Sequence, residues 1–176
     1  MSLAEIKNRI NKTEVECSRP VNSTKLIEVS KVQPNDRIKL VLDEGHRVFG
    51  ENRIQEAQSK WPFFKEQYED VELHIIGPLQ TNKTRAAMEL ADCIHTVDRL
   101  KLAKNIARIA QELGRCPELF IQVNTGNEPQ KAGVNFNESE IFIDKCIKEY
   151  RLEVSGLMCI PPQNVNPEEH FLQLRD

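Results

Sequence analysis

Lys31 closes a short apolar run, Lys25 to Lys31 (KLIEVSK), and is the only amine at the end of such a run. A protonated amine is a weak nucleophile. Where partial desolvation disfavours the ammonium, the neutral amine can add to an aldehyde and form an imine. On spacing alone, a solvated loop lysine is the commoner outcome. The other runs end in small or polar residues: Glu51 and Asn52, then Gly77, Thr96, Asn124 and Met158. Asn52 could hydrogen-bond a ligand without adding charge. His74 lies inside its run, three residues before Gly77, where a lone histidine is more often a hydrogen-bonded core or rim residue than a catalyst. His46 and His95 have no sequence partners that point to chemistry, and no spacing supports a metal site. Lys83 and Lys131 sit in polar loops (GPLQTNK and NTGNEPQKAG) and are the cations that could meet an anion.

The elements that must position these residues alternate strand and helix. Strands are expected at Lys25–Lys31, Arg47–Asn52, Val71–Gly77, Cys93–Val97, Leu119–Asn124 and Leu152–Met158. An early helix carries the capping-box pattern Ser2-x-x-Glu5. Others run from Pro34 to Gly45, from Arg53 to Lys60 ahead of Pro62, and from Asn82 to Ala91. The next starts at Asp98 as a cap and ends at Gly114, the one after spans Ile141 to Tyr150, and the last begins at Asn166-Pro167.

Such alternation means parallel strands joined by right-handed crossovers. A doubly wound dinucleotide binder should carry G-x-G-x-x-G after its first strand, and Lys31-Val32-Gln33-Pro34 has no glycine. A (β/α) TIM-type barrel is therefore the expected fold, as one domain over residues 1–176. Eight units typically need about 250 residues, so about six of eight strands fit and the barrel is expected to be incomplete at its C-terminus. Its two open edges would invite association.

Composition narrows the function classes. With 39% apolar and 29% charged residues, the 176-residue chain reads as an ordinary globular protein. A net charge of −3 gives no case for nucleic acid or anionic membrane. No apolar run is long enough for a membrane span, and Met1 to Glu14 lacks the apolar core of a signal peptide. Five scattered cysteines without C-x-x-C suit a reducing, cytoplasmic compartment.

Taken in order, the segments VSK (29–31), FGEN (49–52), HIIGPLQTNK (74–83), HTVD (95–98), QVN (122–124) and GLM (156–158) resemble the YggS-type pyridoxal phosphate homeostasis proteins. The resemblance implies a fold like the N-terminal barrel of alanine racemase. It implies pyridoxal 5′-phosphate (PLP) held as a Schiff base by Lys31, with Asn52, His74 and Met158 lining the pocket. It implies a monomeric role in intracellular PLP balance without established catalysis, with PLP-dependent apoenzymes as partners. Val32 departs from the family, which often has Thr there. The family's serine loop and Arg-Gly pair, which grip the cofactor phosphate, match no segment of this sequence. Two alternatives are a racemase-type PLP enzyme acting on amino acids, and a truncated chain that binds no cofactor and acts through protein contacts.

Overall fold

The computed structural model describes residues 2–175. Its strands are β1 (Glu28–Val29), β2 (Val48–Glu51), β3 (Glu72–Ile75), β4 (Cys93–Val97), β5 (Glu118–Asn124), β6 (Val134–Asn135) and β7 (Val154–Met158). All pair in parallel, in the order β1-β2-β3-β4-β5, with β7 and the short β6 both on β5. The helices are α1 (Leu3–Glu16), α2 (Asn35–Asp43), α3 (Ile54–Gln67), α4 (Thr84–Leu90), α5 (Leu100–Leu113), α6 (Ser139–Asp144) and α7 (Pro167–Arg175). Among the described residues β1 pairs only with β2, and β7 only with β5. The strands therefore form an open parallel arc of barrel type rather than a closed barrel. No helix is long and apolar enough to cross a membrane among the described residues.

One face of the arc builds the core. Phe49, Leu73, Ile75, Ile94, Leu119, Ile121 and Val123 are buried in one cluster with Trp61, Phe64, Met88, Leu102 and Ile106 of the helices. The other face, on alternate residues, carries polar groups: His74 lies opposite Gly50 on one side and Cys93 on the other. This two-residue period follows from the strand pleat.

Local signals explain most helix ends. At α1 the capping box forms as the spacing predicts: the Glu5 N–H donates to Ser2 Oγ at 3.2 Å and the Ser2 N–H to Glu5 Oε2 at 2.7 Å. Gly114 closes α5 with φ +65, a left-handed value that glycine reaches without strain. Asn166 starts α7 by accepting from the Glu168 N–H.

Three expectations need correction. Helix α3 runs through Pro62 to Gln67 instead of stopping before it. Proline removes one helix hydrogen bond, but Trp61 and Phe64 on either side are fully buried, and the Trp61 ring lies 4.9 Å from Phe49. Burying two aromatic side chains outweighs one lost bond. Asp98 is not the cap of α5. The cap position is Arg99, whose guanidinium pairs with Asp98 and donates to the Leu79 carbonyl at 2.6 Å. Six strands are expected, and a seventh, β6, follows the loop over residues 124–133, which no alternation of residue types announces.

The aromatic wedge gives a stability prediction. Trp61→Ala should cost about 3–5 kcal/mol, read as a lower urea midpoint. A loss under about 1 kcal/mol would show that α3 is held by something else.

Candidate functional site

Strand ends in a parallel α/β fold converge on one mouth. Here they enclose a cleft of about 510 Å³, lined by Lys31, Asn52, Gly77, Asn124 and Met158 with His95, Lys131 and Cys159 among its further walls. That volume lies in the range of about 300–1,000 Å³ usual for cofactor pockets. A hollow of similar volume beside α1 is lined by Ile6, Ile10 and Thr13 and gathers no strand-end groups.

Lys31 follows β1 and is exposed, so the desolvation expected for its amine is not supplied by the protein's own walls. Its backbone, by contrast, is tightly held. Ser30 donates from its N–H to the Gly50 carbonyl at 3.1 Å and from Oγ to Glu51 Oε1 at 2.8 Å. Lys60 Nζ donates to the Ser30 carbonyl at 3.1 Å. On the other side of Lys31, Val32 takes φ +62, a costly region for a β-branched residue. Its N–H donates to Glu56 Oε1 at 2.6 Å. Burial pushes the Glu56 carboxyl up, but Lys60 and the Val32 N–H outweigh it and hold it below the ordinary range.

Glu51 was expected at the mouth beside Asn52. Its side chain instead points to the helix side and is fully buried. There Oε1 accepts from Ser30 and, at 3.3 Å, from Trp61 Nε1, with Lys60 Nζ at 3.5 Å. Its second oxygen has no partner among the described residues. Asn52, the next residue, faces the cleft by strand alternation. A Cβ on Gly77 would stand 2.2 Å from the Asn52 carbonyl oxygen, so only glycine lets β3 end against that backbone. Thr96 lies behind the mouth, donating from its hydroxyl to the Gly77 carbonyl at 2.9 Å.

Asn124 ties down its own loop. Its amide donates to the Glu128 carbonyl at 2.8 Å. Lys131 is paired with Glu128 at 2.5 Å and donates to the Pro161 carbonyl at 3.2 Å. Lys83 lines a neighbouring hollow with Arg53 and Gln80, which meets the cleft at Asn52 and Pro78.

His74 is buried one step back from the cleft, and His95 is the histidine on its wall. Sequence reasoning passed over His95 because its partners come from other strands. His74 Nδ1 and His95 Nε2 lie 2.7 Å apart. His74 Nε2 is 2.9 Å from Glu72 Oε1, and Lys25 donates to both Glu72 oxygens. The His95 ring stacks on Phe120 at 4.8 Å. His74, Cys93 and His95 bring three potential metal-ligating atoms within 4.8 Å of one another. Burial lowers His74, and burial together with His74 lowers His95 to about 4. Burial also pushes the Cys93 thiol up to about 12.

Residues 2–175 match the model of the alanine racemase N-terminal domain family. The chain is 37% identical to the pyridoxal phosphate homeostasis protein of Vibrio alginolyticus, over 97% of this chain and 74% of that protein. It is 35% identical to the protein of that name from Aquifex aeolicus, over 99% and 77%. The structure of PipY from Synechococcus elongatus with PLP bound superposes with a TM-score of 0.79 at 36% identity, covering 97% of this chain and 78% of that one. An alanine racemase from Clostridium difficile, at 17% identity and TM-score 0.67 over 95% and 44%, shares the fold.

The depressed His95 yields a pH prediction. Because its folded value lies below the unfolded value of 6.5, its contribution to stability is complete above pH 6.5 and is lost as pH falls towards about 4. His95→Phe should therefore flatten the fall in stability across that window in urea titrations. An unchanged slope would mean that His95 titrates alike in both states.

Proposed function

We propose that this chain, which belongs to the alanine racemase N-terminal domain family, binds PLP as a Schiff base on Lys31 and serves intracellular PLP homeostasis without catalysis. The observation that carries the reading is the meeting of one strand-end amine, one amide and one thioether, Lys31, Asn52 and Met158, around a single cofactor-sized cleft. The likeness to proteins named for pyridoxal phosphate homeostasis and to PLP-bound PipY supports the choice of cofactor.

Bound PLP would supply an electrophilic aldehyde on an electron-withdrawing ring. The chain's own residues do the rest. Lys31 offers the amine from a backbone fixed on both sides by Ser30 and Val32. Asn52 gives a neutral hydrogen-bonding group held by its close packing on Gly77. Met158 gives an adaptable apolar contact from β7. His74, expected from the family to line the pocket, contributes through His95.

Racemase chemistry needs a second acid/base group opposite the cofactor. Lys131, the other lysine in the cleft, is already engaged by Glu128 and the Pro161 carbonyl. The names of its relatives favour a carrier over an enzyme, with PLP-dependent apoenzymes as recipients. A cytoplasmic setting fits five unpaired cysteines.

Titrated with PLP, the purified chain should gain a visible absorption band that Lys31→Ala lacks. A chain that stays colourless at saturating PLP, or an undiminished band in Lys31→Ala, contradicts the reading. Amino-acid racemisation that disappears in Lys31→Ala would favour an enzyme instead.

A further inference from the structure

The chain of contacts Lys25–Glu72–His74–His95 runs from the start of β3 to the cleft wall and is not used by the amine chemistry of Lys31. Its distances fix where the protons sit. Burial would raise the Glu72 carboxyl, but Lys25 and His74 outweigh it and hold it below the ordinary range, so Glu72 is ionised and can only accept. His74 Nε2, 2.9 Å from Glu72 Oε1, must then carry a proton. His74 is neutral near pH 7 because burial lowers its basicity, which leaves Nδ1 as a bare lone pair. His95 Nε2 stands 2.7 Å from that lone pair, so it must donate. His95 is neutral too, and the nitrogen left over, Nδ1, carries no proton.

We infer that Glu72 and His74 lock His95 in the Nε2–H form, so that the cleft wall presents Nδ1 as a hydrogen-bond acceptor and selects a ligand ring bearing an N–H donor. The inference rests on the reading of the cleft as a PLP site and deepens it. Pyridoxal phosphate carries one ring nitrogen, across the ring from its aldehyde carbon. Lys31 and His95 line the cleft from separate strands, after β1 and within β4. With the aldehyde side at Lys31, a protonated ring nitrogen would be met by His95, whose ring is stacked on Phe120 (interplanar angle 5°). His95 is thus a cofactor-positioning residue, and Glu72 acts on it through His74.

A metal ion is the competing use of the same cluster. Two imidazole nitrogens on one tetrahedral zinc, each about 2.0–2.1 Å from it, stand roughly 3.3 Å apart. The observed 2.7 Å is the separation of a hydrogen bond.

The test uses the full chain labelled with 15N-histidine. Long-range 1H–15N correlation spectra at pH 7, with His46→Gln and His170→Gln to assign the remaining pair, should show His74 and His95 both as neutral Nε2–H forms. A proton on His95 Nδ1 overturns the lock, as does a zinc-induced loss of the pair's mutual hydrogen bond at stoichiometric metal. In parallel, PLP binding is read from the visible band. His95→Phe keeps a ring on Phe120 but has no acceptor, and should weaken PLP binding by tenfold or more, while the loss of its bond to buried His74 lowers the melting temperature without unfolding the chain at pH 7. His95→Gln, with a carbonyl acceptor, should recover part of it. Wild-type affinity in His95→Phe overturns the positioning role. If the wild-type chain takes up no PLP, the PLP reading itself fails, whereas the tautomer spectra still decide the lock.

Discussion

The site depends on one buried carboxylate. Glu51 is fully enclosed on the helix side of β2, and a carboxylate taken out of water is costly unless it is paired and hydrogen-bonded. Its Oε1 collects Ser30 from the end of β1, Trp61 from α3 and, at longer range, Lys60. These contacts come from two elements, the end of β1 and α3, and Oε1 meets both only in one relative arrangement, while Oε2 stays buried without a partner among the described residues. Ser30 immediately precedes Lys31, and Glu51 immediately precedes Asn52. The residues that face the cleft are therefore fixed by groups that face away from it.

The same logic governs the neighbouring turn. Val32 holds a left-handed backbone that a β-branched side chain resists, and it does so on an exposed position where its side chain gains nothing from burial. Glu56 meets the Val32 N–H, and Lys60 meets both Glu56 and the Ser30 carbonyl. Strain of this kind persists where surrounding groups over-determine it. It leaves the lysine side chain itself free in the cleft while its Cα is pinned, which suits an amine that must reach one fixed aldehyde.

Much of this was legible in the sequence, and the misses share a cause. Strand β4 falls at Cys93–Val97 as the apolar run predicts, and the Ser2/Glu5 box forms because capping is local. The cleft gathers Lys31, Asn52, Gly77, Asn124 and Met158 because each closes an apolar run and all such ends share one side of the sheet. Thr96, from the same ring, turns instead to the Gly77 carbonyl. What was not legible depends on contacts between elements. Pro62 reads as a stop until Trp61 meets Phe49. His95 reads as unpartnered until β3 lies beside β4 in the register that sets His74 against Cys93. Glu51 reads as a rim residue until its parity sends it to α3.

On the proposed reading, Lys31, and no other amine of this chain, would hold the cofactor. Its most direct test is borohydride reduction of the PLP-loaded chain followed by peptide mapping by mass spectrometry. One phosphopyridoxyl group per chain, on Lys31, is expected. Label spread over several lysines, or confined to Lys131 or Lys83, would contradict it.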